Sequence, residues 1–164
     1  MMSKGPISLT APSLVAAILV ASFTTTGTAE DGLRRFLYVA SPGIRNYLEY
    51  GGHGILVFDV DNGHKFVRRI SLAGYGVNDD GKPINVKGIC GNADSGRLYV
   101  STIRHLICLD LSTDQVLWQK EYPLGCDRMS ISPDGKTLYQ PSFEKDRWYV
   151  LNAADGSIIR EIIP

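Results

Sequence analysis

The stretch that decides the fold is "SISPDGKTLYQPS", residues 130–142, in which a turn separates two short apolar runs. Pro133 fixes its own φ, Asp134 is placed to cap the turn, and Gly135 suits the position that needs a positive φ. Taken alone, the stretch predicts a β-hairpin. The fold depends on whether this hairpin occurs once or repeats along the chain.

The hairpin repeats. KGICGNADSGRLYVS (residues 87–101) superposes at an offset of 40 on DRMSISPDGKTLYQP (residues 127–141), and FLYVAS (residues 36–41) repeats the second half. A second hairpin follows each copy, in residues 54–72, 105–122 and 147–163. The turns of these second hairpins begin at Asp59, Asp110 and Asn152, and reach Gly63, Asp114 and Gly156 four residues later. Turn formers between alternating apolar runs predict hairpins with turns of about four residues.

One unit therefore consists of four short antiparallel strands, A to D, in about 40 residues. This pattern predicts an all-β fold, a β-propeller of four-stranded antiparallel blades with about three blades present. Blade 1 would cover about residues 33–72, blade 2 about 86–124 and blade 3 about 126–164. A β-sandwich is the alternative, but it would not repeat turn residues at equivalent positions in three consecutive units.

"SPDGKTLYQPS" resembles the SPDGKTLYVTN signature of YVTN-type β-propeller repeat proteins, and "NADSGRLYVST" is a looser copy. "LDLSTDQVLW" resembles the second hairpin of pyrroloquinoline-quinone enzyme repeats. The similarity covers Phe36 to Pro164 and departs at Gln140-Pro141 and at Asn152. Such a resemblance implies a fold and not an activity.

The resemblance to YVTN-type repeats also implies a seven-bladed ring. The chain would then be a fragment of that ring, the N-terminal part of a longer protein, with strand A missing from blade 1. Closing seven blades would take roughly 160 further residues at about 40 per blade. A ring assembled from several three-bladed chains is the alternative, and the sequence favours the longer protein.

The first 29 residues are predicted to be a signal peptide. An apolar run of ten, Leu14 to Phe23, is followed by the small and polar stretch TTTGTA. Ten apolar residues rise about 15 Å as a helix, which is half of a bilayer core. We therefore expect a periplasmic or secreted protein with no stable membrane span after signal cleavage. An uncleaved anchor helix is the alternative.

Composition excludes one class of partner. The 164 residues carry 17 Lys and Arg against 17 Asp and Glu. This balance gives no electrostatic reason to expect a nucleic-acid partner. The three cysteines, Cys90, Cys108 and Cys126, have no spacing typical of a metal or haem site, and we interpret them as small buried hydrophobic residues.

A propeller has two faces, and the chain is longer on one of them. The A–B and C–D turns are short and lie on what we call the turn face. The B–C and D–A connections lie on the opposite side, which we call the loop face, and there residues 41–54 and 73–85 are insertions relative to the later units. Polar and aromatic residues on loops held by a rigid scaffold are typical of a binding site. Loops that merely tolerate length are the alternative.

Nine residues are predicted as ligand-binding candidates on the loop face. Lys87 and Arg128 would stand at the channel end of the innermost strands, where two cations could attract an anionic ligand, unless Asp127 neutralises Arg128 locally. Asn78, Asp79, Asp80, Phe143 and Lys145 would share the same rim. The nine candidates are Arg45, Tyr47, Tyr50, His53, Tyr75, Lys87, Arg128, Arg147 and Trp148.

The predicted function is an exported binding or scaffold module that takes a protein or small-molecule ligand on the loop face. The alternative is part of a propeller enzyme, a lactonase or quinoprotein-type oxidoreductase, whose catalytic residues lie partly in further blades. A purely structural or cell-surface repeat module is the third hypothesis. No cofactor is evident from the sequence, and a quinone or metal belongs to the enzyme alternative. Asp79-Asp80 lacks calcium-loop spacing and is interpreted as a turn, and Trp118 is interpreted as blade packing.

Overall fold

The computed structural model describes residues 33–41, 53–72 and 74–164. Chain contacts divide the protein into two units, residues 1–33 and residues 34–164. The predicted signal peptide lies outside the described residues. Within the described ranges, no helix is long and apolar enough to cross a bilayer.

The described residues form eleven strands in three antiparallel sheets, and the strand order of each sheet follows the chain. The all-β prediction is therefore confirmed, and the described part of blade 1 has three strands. Blade 1 contains β1 (Phe36–Ser41), β2 (Gly54–Asp59) and β3 (Lys65–Ile70). Blade 2 contains β4 (Val86–Asn92), β5 (Arg97–Thr102), β6 (His105–Asp110) and β7 (Val116–Glu121). Blade 3 contains β8 (Ser130–Ile131), β9 (Thr137–Pro141), β10 (Trp148–Asn152) and β11 (Ile158–Ile162).

The turn chemistry expected at residues 132–137 is confirmed. Gly135 has a φ of 69°, and its N–H donates to the carbonyl of Ser132 at 2.9 Å. The carboxylate of Asp134 accepts from the N–H of Lys136 at 3.0 Å. These hydrogen bonds with neighbouring groups lower the pKa of Asp134, and the Ser132 hydroxyl is the largest cause. The turn is thus stabilised by its own residues.

The C–D turns also share one geometry. Side-chain oxygens of Asp59, Asp110 and Asn152 each accept a backbone N–H two residues later. The position four residues after each of them is left-handed, with φ values of 62° at Gly63, 59° at Asp114 and 70° at Gly156. Hydrogen bonds from Ser112 and Thr113 lower the pKa of Asp110 to about 2. The repeat seen in sequence is therefore a repeat of backbone conformation.

Each C–D hairpin contains a register shift at an equivalent position. The shift lies between Val57 and Phe58 in blade 1, and between Cys108 and Leu109 in blade 2. In blade 3 it lies between Val150 and Leu151. A β-bulge of this kind bends the strand and increases its local twist.

The first strand of blade 3 is short, since β8 covers two residues whereas β4, the equivalent strand of blade 2, covers seven. The cause lies in Pro141, which has no N–H to donate to the neighbouring strand. The side-chain amide of Gln140 supplies the missing donor, at 2.9 Å from the carbonyl of Asp127. Gln140 is fully buried there. The departure from the repeat signature at Gln140-Pro141 thus replaces a backbone hydrogen bond with a side-chain one.

The core lies between the sheets. One cluster joins blades 1 and 2, with Val57 and Ile70 packed against Val100 and Ile107. A second cluster joins blades 2 and 3 and contains Tyr99, Leu106, Cys108, Leu138, Tyr149 and Leu151. β5 and β6 of blade 2 therefore bury alternate side chains against blade 1 and blade 3.

Hydrogen bonds also join blades 2 and 3. The Tyr99 hydroxyl donates to the carbonyl of Ala153 at 2.9 Å, and the Tyr122 hydroxyl donates to that of Gly156 at 2.7 Å. Trp118 donates from Nε1 to the carbonyl of Ala154 at 3.0 Å. Blade 2 thus holds the C–D turn of blade 3 by its backbone carbonyls, and the interpretation of Trp118 as blade packing is confirmed.

An ion pair joins blades 1 and 2 in the corresponding place. The guanidinium of Arg68 donates to both carboxylate oxygens of Asp114, at 2.6 and 2.8 Å. This bond raises the pKa of Arg68. Bidentate pairs of this kind also fix geometry, so the C–D turn of blade 2 is held by β3 of blade 1.

The thiols are expected to react slowly in the folded protein. All three are free, and burial raises the pKa of Cys90 and Cys126 to about 12 and that of Cys108 to about 11. Because the thiolate is the reactive form, labelling with a disulfide reagent at pH 8 should be about 100-fold slower in the native than in the unfolded chain. Equal rates would contradict the burial.

The same thiols predict a loss of stability in alkali. Their folded-state pKa values lie above the ordinary value of 9.0, so burial favours the protonated form. This contribution to stability is fully present below pH 9 and is lost as the pH rises through about 11 to 12. Urea denaturation across this range measures the decline.

Candidate functional site

The first D–A connection forms a small hairpin on the loop face. Val77 bridges Pro83, and Asn78 closes the tip by accepting the N–H groups of Asp80 and Lys82 at its side-chain oxygen, at 3.1 and 2.8 Å. Asp79 and Asp80 are the two residues at this tip. The interpretation of this acidic pair as a turn is therefore confirmed.

This hairpin is held against blade 2 and β2. Its Gly76 N–H donates to the side-chain oxygen of Gln119 on β7 at 2.8 Å. His53, just before β2, lies with Nε2 at 2.7 Å from the carbonyl of Ile84. Both ends of the hairpin therefore have a fixed position relative to the blades.

The B–C connection of blade 2 is a tight turn between Thr102 and His105. The Thr102 hydroxyl oxygen accepts the N–H of His105 at 2.9 Å and that of Arg104 at 3.3 Å. This local bonding turns the chain so that Ile103 is exposed at the tip. A short Thr-x-x-His connection thus presents one apolar and one cationic side chain to the loop face.

Backbone hydrogen bonds connect three loops in series. The Cys126 N–H donates to the carbonyl of Ile103 at 3.1 Å, and the Phe143 N–H donates to that of Leu124 at 2.9 Å. The Ser142 hydroxyl donates to the carbonyl of Lys145 at 2.8 Å and fixes the last loop. The loop face between blades 2 and 3 is therefore preorganised by its backbone.

Arg104 is the charged centre of this surface. Its Nη1 donates to Asp79 at 2.8 Å, and its Nε lies 3.2 Å from Glu121. Its hydrogen bonds to the carboxylate of Asp79, first, and to that of Glu121, second, raise the pKa of Arg104. The ion pairs link the tip of the first D–A hairpin to the end of β7 across the B–C turn of blade 2.

His105 lies under Arg104 and is buried. Its Nε2 is 2.9 Å from the same oxygen of Glu121 that faces Arg104. Its Nδ1 is buried without a hydrogen-bond partner. The Glu121 carboxylate is therefore positioned by two side chains, the buried His105 and the more exposed Arg104.

Two adjoining grooves meet at Ile103 and Arg104, and we call them the Arg104 grooves. The larger, about 600 Å³, runs between blades 2 and 3, and the smaller, about 440 Å³, runs beside the first D–A hairpin. The larger is lined by Ile103, Arg104, Glu121, Tyr122, Pro123, Leu124, Gly125, Phe143 and Lys145. The smaller is lined by Asn78, Pro83, Ile84, Asn85, Lys87, Ile103 and Arg104.

The lining of the Arg104 grooves is cationic around an aromatic ring. Lys87 places its Nζ 4.7 Å from the centre of the Phe143 ring. Lys145 lines the other groove beside the same phenylalanine. The lining thus contains three cations, Lys87, Arg104 and Lys145, and one carboxylate, Glu121. Asp79 is outside the lining and pairs with Arg104. The grooves combine apolar walls with positive charge.

Arg128 precedes β8 and lies outside the Arg104 grooves. Its side chain is largely exposed and lies 3.8 Å from Asp127. Its Cα would be 3.1 Å from a Cβ placed on Gly88, so it packs next to the strand that carries Lys87. Asp127 is therefore close enough to neutralise Arg128 locally, which is the alternative stated in the sequence analysis.

The other predicted residues are distributed more widely. His53 contacts the base of the first D–A hairpin, and Tyr75 belongs to that base. Arg147 donates to Glu161 on β11 at 2.7 Å, and Trp148 begins β10, so neither lines the Arg104 grooves. Arg45, Tyr47 and Tyr50 lie outside the described residues.

Arg104 and Glu121 are site residues that the sequence reasoning did not select. The available signal was the Arg104-His105 pair in the shortest B–C connection, which puts a cation next to a strand end.

A third cleft, about 370 Å³, lies between β1 and β4 and includes Tyr38, Cys90 and Asn92. In the described part of the chain, no group of three or more His, Cys, Asp or Glu side chains is arranged to hold a metal ion.

Three solved structures illustrate the similarity of the fold. The chain is similar to hydrazine synthase from Kuenenia stuttgartiensis, with a TM-score of 0.55 and 18% identity over 70% of this chain and 30% of that one. It is similar to dihydro-heme d1 dehydrogenase NirN, with a TM-score of 0.54 and 17% identity over 77% and 24% of the two chains. The β-propeller domain of Myceliophteria thermophila Cps50 (Swd1) gives a TM-score of 0.50 and 10% identity over 68% and 32%.

These comparisons bear on the fold alone. No protein-family model and no curated protein sequence matches the chain. The chain spans between about a quarter and a third of the length of the three similar structures. The three similar structures and the three antiparallel sheets together show that the chain folds as part of a β-propeller.

Proposed function

We propose that this protein is a binding module whose ligand occupies the Arg104 grooves through an anionic group. The observation that carries the proposal is the lining, in which Lys87 lies 4.7 Å from the centre of the Phe143 ring, and Lys145 lines the same groove as that ring. A carboxylate would pair with the lysines, while an apolar or aromatic body would pack against the ring and Ile103. Asp79 and Glu121 already pair with Arg104, so Lys87 and Lys145 supply the positive charge for an anionic group.

The proposed binding module is an exported protein. The apolar run Leu14 to Phe23 and the small residues that follow it support a signal peptide at residues 1–29 and a periplasmic or secreted location. The SPDGKTLY stretch supports membership of the YVTN-type repeat proteins. A small-molecule or peptide ligand suits the groove dimensions, which fall in the range of ligand sites.

Removing the two lysines is expected to weaken binding of an aromatic carboxylate. Phenylacetate is the probe, and its dissociation constant, measured by NMR titration, should rise at least about fivefold in the Lys87→Gln, Lys145→Gln double variant. Because salt screens the attraction between the lysines and the carboxylate, wild-type binding should also weaken at high salt. Arg104 is left in place because it holds the loop structure.

The matched control is the Lys65→Gln, Lys136→Gln double variant. It changes the net charge by the same amount, but its substitutions lie beside the C–D and A–B turns on the turn face. Equal weakening in both double variants would show a general charge effect and contradict the site. Equal binding of phenylacetate and neutral benzyl alcohol would contradict the role of the anionic group.

A further inference from the structure

The C–D turn of blade 1 contains an Asn-Gly pair, Asn62-Gly63, and its backbone differs from that of the other C–D turns. Gly63 and the residue after it, His64, are both left-handed, with φ values of 62° and 59°. The C–D turns of blades 2 and 3 each have one left-handed residue, Asp114 or Gly156. The chain of blade 1 therefore follows a different path immediately after its asparagine.

The hydrogen bonds of this turn differ as well. The N–H groups of Asp114 and Gly156 each donate to the carbonyl four residues earlier, at 2.9 and 2.8 Å. The turn of blade 1 is closed instead by the Lys65 N–H, which donates to the carbonyl of Asn62 at 3.2 Å. In the part of the chain that the structure describes, the Gly63 N–H has no hydrogen-bond partner. No hydrogen bond therefore holds the Gly63 nitrogen away from the neighbouring side chain.

The side chain of Asn62 is exposed, and within the described ranges it makes no hydrogen bond. Its exposure does not depend on what covers the outward side of blade 1. Thr113 and Asp155 occupy the same place in the C–D turns of blades 2 and 3, and both are exposed although another blade precedes each of them. Water and hydroxide therefore have access to the Asn62 amide.

The other described asparagines lack this combination. Asn62 is the one asparagine in the sequence that precedes a glycine. Asn85 precedes the β-branched Val86. Side-chain oxygens of three others accept backbone N–H groups at 2.8 or 2.9 Å, in Asn78, Asn92 and Asn152. These hydrogen bonds hold each of the three amides in one orientation.

We propose that Asn62-Gly63 is a site of spontaneous deamidation in the folded protein. The Gly63 nitrogen, after its proton has passed to hydroxide, attacks Cγ of the Asn62 side chain. A bond from this nitrogen to Cγ forms, the bond from Cγ to the side-chain nitrogen breaks, and ammonia leaves a five-membered succinimide. Water then opens the ring at either carbonyl, so residue 62 becomes aspartate or isoaspartate. Glycine favours the attack because it has no Cβ to shield its nitrogen and reaches more φ values than other residues.

Both products change the turn between β2 and β3. A carboxylate replaces the neutral amide of Asn62, beside Asp61, whose Oδ1 already accepts from Nε of Arg35 at 2.7 Å. The isoaspartate product also adds one methylene group to the main chain of the turn. The aged protein would therefore contain two modified forms of blade 1, and one of them has a longer C–D turn.

Peptide mass spectrometry of the full chain, incubated folded in mildly alkaline buffer, tests the proposal. Trypsin releases residues 46–65 as one peptide, and fragmentation separates Asn62 from Asn46 within it. The mass gain of a carboxylic acid over a carboxamide should appear at Asn62 at least about tenfold faster than at the three hydrogen-bonded asparagines, Asn78, Asn92 and Asn152.

Gly63→Ala tests the attacking nitrogen and should slow the reaction at Asn62 at least about tenfold, because the added Cβ shields that nitrogen. Gly96→Ala is the matched control. Gly96 has a φ of 64°, and a Cβ there, as at Gly63, would meet no atom within 4 Å. Its variant therefore carries the same backbone cost in an A–B turn, and it should deamidate at Asn62 at the wild-type rate.

Three outcomes would overturn the proposal. A rate at Asn62 no higher than at Asn78, Asn92 and Asn152 would show that the dipeptide is not a preferred site in this fold. A folded chain that reacts at least about tenfold more slowly at Asn62 than the chain in urea would show that the turn prevents the attack. An unchanged rate in Gly63→Ala would show that water hydrolyses the amide directly, without the succinimide.

Discussion

Replacing Tyr149 with alanine is expected to lower the free energy of unfolding by about 3 to 5 kcal/mol. Tyr149 is fully buried between blades 2 and 3, and its ring centre lies 5.2 Å from that of Tyr122. Its hydroxyl oxygen accepts the N–H of Leu124 at 3.2 Å. The substitution would leave a cavity, remove an aromatic pair and leave a loop N–H without its partner.

Urea denaturation measures this loss, and Trp148→Ala is its control. Trp148 precedes Tyr149 on β10 and points to the opposite side of the sheet, where it is exposed. Trp148→Ala should cost less than about 1 kcal/mol. A larger loss for Trp148→Ala than for Tyr149→Ala would contradict the assignment of the buried side of blade 3.

Gly156→Ala is the second substitution with a large expected effect, about 3 kcal/mol. Gly156 has a φ of 70°, which a residue with a Cβ adopts at a cost of about 1 kcal/mol. An alanine Cβ would also lie 2.8 Å from Cζ3 of Trp118 and 3.0 Å from the hydroxyl oxygen of Tyr122. These rings hold the C–D turn of blade 3, so the added methyl group would separate blades 2 and 3.

Gly63→Ala isolates the contribution of the blade contact. Gly63 has the equivalent place in blade 1 and a φ of 62°, but a Cβ there would meet no atom within 4 Å. Asp114 shows that a side chain is tolerated at this place, with a φ of 59°. Gly63→Ala should therefore cost about 1 kcal/mol in urea denaturation. Similar losses in the two variants would mean that backbone strain alone accounts for Gly156.

The blades could be predicted from the sequence because their signals are local. Turn formers such as Asp110 and Gly135 bond within four residues, and the alternation of apolar residues fixes strand faces without knowledge of the neighbours. The length of β8 could not be predicted in the same way. It depends on Pro141 and Gln140 acting across a strand pair, which the repeat alignment treats as a simple mismatch.

The site was only partly predictable because it depends on contacts between distant residues. Lys87 was selected from its place at a strand end, and it does line a groove. The contact of Arg104 with Asp79 requires the first D–A hairpin to fold back over blade 2, which no local pattern indicates. Trp148 was assigned to the loop rim as the last residue of the third B–C connection, whereas β10 begins at that residue and places it in a sheet.

The register shift in every C–D hairpin has a consequence for the outer rim of the blades. β3, β7 and β11 are the outermost strands of their sheets, and each carries an exposed apolar residue, Phe66, Leu117 or Ile159. A flat apolar strand at a sheet edge is a template for uncontrolled strand addition and fibril growth. The bulge twists each of these edge strands, so their backbone N–H and C=O groups are poorly aligned for hydrogen bonds with another extended chain. We therefore expect the irregularity repeated in all three blades to oppose this kind of strand addition.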